Sequence, residues 1–545
     1  MPNEFSNNTR TNAIRQLSAD HFDLLIIGGG ITGAGIALDA ASRGLKVALV
    51  EKSDFAFGTS SRSTKLIHGG LRYLKQLEFG LVKEVGSERA IVHKLAPHLV
   101  VPEKMLLPLY EKRGMGYWLT SVGLKIYDLL AGVKAEDQRK MLTRPQTLRQ
   151  EPLLKENDVK GGAIYAEYRT DDARLTIEII KTAFEKGACI VNYCRATDFI
   201  YQNEVIAGVQ VKDVLADVSF QIKAKVVVNA AGPWVDELRE INRSKKGKRL
   251  HLTKGVHLVV PKEKFPVKQA IYFDVEDGRM IFAIPRGRTT YVGTTDTNYS
   301  DSKEEILATK EDAEYIINAV NRTFPSTNLS MSDVESSWAG LRPLIHEEGK
   351  SANELSRKDE IFESETGLIS IAGGKLTGYR KMAERIVDRV IKKSFSNKEK
   401  KCFTDSILFT GSDFKNYGDV KNYIGSLTNQ LRVIGLESMA SYLVGNYGKQ
   451  CTIILNRLKE NLEKDVDLAL AKAELWFCMK HEMVVSPTDF FNRRTGMLYF
   501  NTPRLKKIKD TMLLEFKNQL KWSELEFEKE KALIEKAMEQ AVSFK

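Results

Sequence analysis

A short apolar run from Asp23 to Ile27 stops at Gly28-Gly29-Gly30-Ile31-Thr32-Gly33. An alanine-rich stretch with helical spacing follows as far as Gly44, and Val47-Ala48-Leu49-Val50-Glu51 comes next. Strand, G-x-G-x-x-G turn, helix, strand and terminal acid, in this order and spacing, form the βαβ unit that binds a dinucleotide. Gly28 permits the tight turn, Gly30 lets backbone amides approach a pyrophosphate, and Gly33 lets helix and strand pack closely. Glu51 can accept both hydroxyls of a ribose, and Gly44 stands where helices commonly end. A merely glycine-rich turn would not bring both strands and the acid with it. The unit alone does not separate FAD from NAD.

The residues after Glu51 bear on that choice, because a simple NAD domain would soon return to another βα repeat. Here Gly58-Thr59-Ser60-Ser61-Arg62-Ser63-Thr64-Lys65 follows instead. Its small hydroxyl side chains can wrap a second phosphate and the sugar-like chain of a longer cofactor, which favours FAD. On these residues alone, a solvated loop that caps a helix with Ser and Thr accounts for the cluster equally well.

With 545 residues, the chain exceeds what one hydrophobic core usually serves, so two or three units sharing a large interior are expected. At 43% apolar and 28% charged residues it is too apolar for a disordered chain and too often interrupted by charge for an integral membrane protein. The first twenty residues are polar, with neither a secretory signal nor an apolar anchor, so a cytoplasmic location is expected. The longest uncharged stretch, Leu24 to Leu38, holds five glycines and falls short of the roughly 20 residues a spanning helix needs. Cys189, Cys194, Cys402, Cys451 and Cys478 are scattered without zinc spacing, so neither a disulfide nor a metal is expected. The net charge of +11 fits nucleic acid, anionic lipid or anionic substrates, and composition does not choose among them.

Val226 to Asn229 reads as a strand ending in Ala230-Ala231-Gly232, where small side chains allow close approach to an adenosine half or simply tight packing. Met280 to Ile284 and Thr289 to Val292 flank Pro285-Arg286-Gly287-Arg288 as a hairpin of an antiparallel sheet. Leu368 to Ala372 is a further buried strand, and Gly373-Gly374-Lys375 opens a helix running through Arg385 and Val390. Ser394 to Lys401 reads as a linker. Beyond it the sequence is mostly helical, notably over Asp465 to Lys480 and Pro503 to Phe544.

Leu66-Ile67-His68-Gly69-Gly70-Leu71-Arg72-Tyr73-Leu74, with the hydroxyl cluster before it, resembles the flavin-dependent glycerol-3-phosphate dehydrogenases of the D-amino-acid-oxidase-like flavoprotein group. Further stretches agree in order: Asp171-Asp172-Ala173-Arg174-Leu175, Asn229 to Val235, Lys254-Gly255-Val256-His257, Gly293-Thr294-Thr295-Asp296, Gly340-Leu341-Arg342-Pro343-Leu344, and Gly373 to Arg380. The resemblance implies an α/β fold with a Rossmann-like FAD-binding domain over 20–75, 155–240 and 335–393. An antiparallel-sheet substrate domain over 76–154 and 241–334 would lie against the flavin ring, and an α-helical C-terminal cap domain would span 400–545. The implied reaction is oxidation of sn-glycerol 3-phosphate to dihydroxyacetone phosphate by hydride transfer to FAD, with electrons passed to membrane quinone. That places the protein peripherally on the inner face of the cell membrane, as a possible homodimer. A glycerol-3-phosphate oxidase producing hydrogen peroxide is the alternative.

Cofactor contacts are expected from Gly28, Gly30, Thr32, Gly33, Glu51 and Lys52, and from Thr59, Ser60, Ser61, Thr64, Lys65 and Leu66. Later in the chain they are expected from Ala231, Gly232, Trp234, Gly293 and Thr294, and from Gly374, Leu376 and Thr377. A phosphate monoester is bound best by the forked guanidinium of Arg, with Lys as a point charge. Arg72, Arg342 and Lys375 each stand beside glycines that let a substrate approach. The resemblance puts Arg342 and Lys375 near the reacting carbon, with Arg72 and Tyr73 holding the substrate and Arg357 within reach of the phosphate. Which cation meets the phosphate stays open. A histidine near its ordinary pKa suits proton removal, and His68, between the cofactor loop and Arg72, is favoured over His257. An amine or amino-acid oxidase would need a carboxylate clamp in place of the phosphate site. No RNA-binding motif is evident, so no nucleic-acid partner is expected. Lys112 to Lys134 carries apolar and aromatic residues between cationic ends, as an interfacial helix does, although core packing explains that pattern equally well.

Overall fold

The structure is a computed structural model that describes residues 4–67, 79–110, 121, 123–126, 138–346, 359–395 and 400–544. Two sheets organise it. The first runs in the order Asp359–Glu363, Ile369–Gly373, Val218–Asn229, His21–Ile27, Val47–Val50, Cys189–Val191. From Ile369–Gly373 to Cys189–Val191 the pairings are parallel. Parallel strands are covered on both faces and so read as unbroken apolar runs, as Leu24 to Ile27 and Val47 to Val50 do. The covering helices are Ile31–Ser42, Asp172–Glu185 and Tyr379–Ser394, the first packed against both of the others. Gly35 makes one of these contacts possible, since a Cβ there would stand 2.7 Å from the Tyr379 ring. Cys194–Gln202 and Val205–Asp213 extend this sheet as an antiparallel meander on Val218–Asn229.

Among the described residues the second sheet has ten strands, built around Leu250–Pro261, Thr289–Gly293, Met280–Arg286, Ala270–Asp274, Val101–Tyr110 and Val159–Arg169, with Ser336–Ile345 paired along Leu250–Pro261. Side chains alternate between its faces. Val256, Leu258, Val292, Ala339 and Leu341 join a core with the helix Lys310–Thr323, whose start is fixed by the reciprocal cap of Thr309 and Asp312. Gly255, His257, Gly340 and Arg342 therefore lie on the opposite face.

Val159–Arg169 and Ser336–Ile345 belong to this second sheet, whereas the sequence reading began stretches of the FAD-binding domain at 155 and 335. The pairing is non-local: Val101–Tyr110 captures the first strand and Leu250–Pro261 the second, so the chain crosses between sheets only after these strands end. Gly373 and Gly374, at φ +77° and +76°, turn the chain before a short Leu376–Gly378 turn, and the helix proper begins at Tyr379.

After residue 400 the chain is helical. Tyr417–Arg432, Ala440–Tyr447, Cys451–Glu460, Val466–His481, Thr502–Leu520 and Glu524–Gln540 share a core that continues to Tyr291 and Trp338 of the second sheet. The predicted helical span Pro503 to Phe544 divides at Lys521, which takes a left-handed φ of +55°, and Ser523 caps the second helix. Of the stretch Lys112 to Lys134 only a few residues are described; among them Leu124 is fully buried, so there the chain packs inward. Among the described residues no helix is long and apolar enough to cross a membrane.

Candidate active site

A cavity of about 570 Å³ lies between the two sheets. Its dinucleotide end is formed as the glycine spacing requires. Gly28 has φ +117°, and a Cβ there would stand 2.5 Å from the Ala230 carbonyl oxygen. A Cβ at Gly33 would stand 1.9 Å from the Gly28 oxygen, so helix and turn meet without room for a methyl group. Gly30 precedes the helix Ile31–Ser42, whose first amides and positive dipole end face the cavity, and Ser60 Oγ accepts from the Ile31 amide at 3.0 Å. Glu51 accepts from the amides of Gly29 (2.7 Å) and Ser53 (2.9 Å), and burial raises its pKa from the ordinary value. Beside it the Lys52 ammonium lies 4.0 Å over the Trp234 ring, and Glu304 Oε1 accepts from both Lys52 (2.5 Å) and the indole (3.0 Å).

The other end is set by register in the second sheet. His257 pairs across to Gly293 on one side and Trp338 on the other, and Gly293 in turn pairs with Phe282. Gly293 leaves room for the imidazole, which stacks on Trp338 with ring centroids 4.7 Å apart, while His257 Nε2 and Thr64 Oγ1 lie 3.0 Å apart. Burial first, then the charges of Arg342 and Lys65, hold the pKa of His257 well below its ordinary value, so the ring is neutral. One row further along, Gly255 pairs with Gly340, and Arg342 reaches over this gap. Its guanidinium donates to Thr294 Oγ1 (2.9 Å), Asp296 Oδ1 (3.1 Å) and the Thr295 carbonyl (3.2 Å). Lys375 lines the same cavity from the first sheet, just past the Gly373-Gly374 turn.

Most expected site residues meet here. Gly28, Gly30, Thr32, Glu51, Lys52, Thr59, Ser60, Thr64 and Leu66 line the cavity, as do Ala231, Gly232, Trp234, His257, Thr294, Arg342, Gly374, Lys375, Leu376 and Thr377. Gly33, Ser61, Lys65 and Gly293 do not. Gly33 and Gly293 act through the space they leave. The Lys65 ammonium is turned away from the cavity to the buried carboxylate of Asp172 (2.5 Å) and the Ser61 carbonyl (3.2 Å), because an unpaired buried cation would be costly. This contact ties the hydroxyl loop to the helix Asp172–Glu185. His68, Arg72, Tyr73 and Arg357 lie outside the described residues.

Sequence reasoning missed Asp296, the partner of Arg342, although it stands inside the quoted Gly293 to Asp296 stretch. It also missed the cavity-lining Arg62, although it stands inside the quoted Gly58 to Lys65 cluster, and Arg195 and Arg279, whose neighbours carry no recognisable spacing.

Residues 23–380 match the FAD dependent oxidoreductase family, and residues 402–526 match the C-terminal domain of alpha-glycerophosphate oxidase. The chain is 49% identical over 534 residues to the aerobic glycerol-3-phosphate dehydrogenase of Staphylococcus aureus (strain bovine RF122 / ET3-1), covering 97% of this chain and 96% of that protein. It is 48% identical over 551 residues to the protein of the same name from Bacillus subtilis (strain 168), covering 99% of each. The chain belongs to the aerobic glycerol-3-phosphate dehydrogenases. The X-ray structure of the Bacillus halodurans glycerol-3-phosphate dehydrogenase complexed with FAD superposes with a TM-score of 0.85 at 44% identity, over 99% of both chains. FAD is the cofactor of this dehydrogenase family, and the cavity fits it in volume, in its glycine cradle at Gly28 and Gly30, and in its helix start at Ile31. An L-alpha-glycerophosphate oxidase from Mycoplasma pneumoniae shares the dehydrogenase fold at 19% identity over 68% of this chain, with a TM-score of 0.55.

Proposed function

We propose that the chain oxidises sn-glycerol 3-phosphate to dihydroxyacetone phosphate. The observation that carries this reading is the placement of Arg342, on a strand of the second sheet, and Lys375, just past the strand Ile369–Gly373 of the first, on one cavity with the dinucleotide cradle. Two cations suit a phosphate dianion, whereas a neutral polyol gains little from them. Bound FAD supplies the hydride acceptor. Arg342, held on three sides by Thr294, Thr295 and Asp296, orients the substrate oxygens without having to reorganise. Arg72, Tyr73 and Arg357 complete the grip on the substrate in this reading. His68 takes the hydroxyl proton, and His257, neutral and hydrogen-bonded to Thr64, is the second candidate.

Electrons pass onward to membrane quinone in this proposal, with the protein peripheral on the inner face of the cell membrane; the net charge of +11 favours an anionic surface. With glycerol 3-phosphate, the purified protein should reduce a soluble quinone analogue without forming hydrogen peroxide. Peroxide formed in step with turnover would show an oxidase instead.

A further inference from the structure

Three residues beyond Glu51, in the loop that brings Gly58, Thr59 and Ser60 to the cavity, Asp54 is fully buried. Its carboxylate accepts from Arg493 Nε at 2.6 Å, from Arg494 Nη1 and Nη2 at 2.8 and 2.9 Å, and from Asn192 Nδ2 at 3.3 Å. Both arginines come from the C-terminal helical unit, more than 430 positions away. Successive side chains of an α-helix diverge by about 100°. Residues Asp489–Arg494 form a π-helical turn, from which two consecutive side chains reach one carboxylate.

The contact is part of a closed set of buried charges. Arg494 also donates to the Glu482 carbonyl (2.9 Å), and the Glu482 carboxylate receives Arg174 at 2.7 and 2.8 Å and Lys181 at 3.3 Å. Arg174 holds Glu178 at 2.5 Å, while Asp489 receives Arg493 and the Tyr193 hydroxyl, each at 2.7 Å. Four buried carboxylates thus face four buried cations, and none of the eight lines the cavity. Such a set gains little net stability over apolar packing, since desolvation offsets much of the attraction, but it admits very few geometries.

On its other side the same loop touches the dinucleotide turn. The Ala56 amide donates to the Gly29 carbonyl (3.0 Å), with Ala56 held at φ +61°; Ser60 Oγ accepts from Ile31, and Thr59 Oγ1 donates to the Leu341 carbonyl (2.7 Å). We propose that Asp54 is a positioning residue for FAD: through Arg493 and Arg494 the C-terminal unit sets the cofactor loop, and FAD is held tightly only while that unit is docked. The inference concerns the cofactor alone and does not depend on which alcohol is oxidised.

The test uses full-length Asp54→Asn and Arg494→Lys, with FAD affinity measured by titrating apoprotein and following flavin fluorescence, beside melting temperatures in saturating FAD. Arg504→Lys is the control, because Arg504 pairs with Asp467 and Glu474 inside the C-terminal unit. The expected result is an FAD dissociation constant raised about tenfold or more for the Asp54 and Arg494 variants, with the control losing thermal stability at unchanged affinity. If Asp54→Asn does not fold, Arg493→Gln leaves Arg494 on Asp54 and gives the same readout in milder form. Variants that melt earlier yet bind FAD like the parent protein would overturn the proposal.

Discussion

The guanidinium of Arg342 occupies the space above Gly255: a Cβ at residue 255 would stand 2.2 Å from Arg342 Nη2 and 2.6 Å from Thr294 Oγ1. The glycine is needed because of what its neighbour does. Gly255→Ala should push the guanidinium off Thr294 and Asp296 and lower kcat/KM by about tenfold or more, since misplacing a positioning group is costly. The flavin spectrum and FAD content should stay as in the parent protein. Unchanged kcat/KM in the alanine variant would mean that Arg342 has no fixed catalytic position.

Removing the cation itself separates chemistry from folding. Arg342→Ala should reduce turnover by about 10²–10³-fold while the protein still purifies yellow, and Arg342→Lys should recover only part, because an ammonium cannot make the forked contacts. Steady-state rates with glycerol 3-phosphate, normalised to bound flavin, make the comparison.

At Gly33 the opposite outcome is expected. A methyl group there collides with the Gly28 carbonyl, so Gly33→Ala must move the turn at the dinucleotide end of the cavity. Forced overpacking of this kind costs about 1–3 kcal/mol, and the variant should purify largely without flavin. A yellow Gly33→Ala protein with parent-like melting would show that the turn yields easily.

His98 should make stability depend on pH. Burial, with Arg174 and Lys181 nearby, pushes its pKa down to about 3, from an ordinary 6.5. Between those values the unfolded chain binds a proton that the folded protein does not, so stability falls as pH drops below 6.5. By pH 5 the loss should be about 2 kcal/mol. His98→Phe, which retains ring packing against Phe414, should flatten the parent's decline in unfolding free energy between pH 6.5 and 5. Equal slopes for the two proteins would show that His98 is protonated in the fold.

Local rules made the dinucleotide unit readable. Gly28, Gly30, Gly33 and Glu51 lie within one strand–helix–strand segment, where spacing alone determines what each residue can do. Arg342 and Lys375 stood out because glycines flank them. What stayed hidden depends on partners distant in the chain. Nothing near Lys65 shows that its ammonium goes to Asp172, and nothing near Asp54 announces Arg493 and Arg494. The second-sheet membership of Val159–Arg169 and Ser336–Ile345 was hidden likewise, since alternation shows that a strand has a buried face but not which strand it joins.

In the proposed reaction one cavity brings FAD together with a cationic grip on a phosphorylated three-carbon alcohol. That reaction is tested most directly by mixing the oxidised holoprotein anaerobically with sn-glycerol 3-phosphate, glycerol or a D-amino acid and recording the flavin spectrum. Rapid bleaching by glycerol 3-phosphate alone is the predicted result. A flavin that stays oxidised with glycerol 3-phosphate, or that is bleached as readily by glycerol or the amino acid, would contradict it.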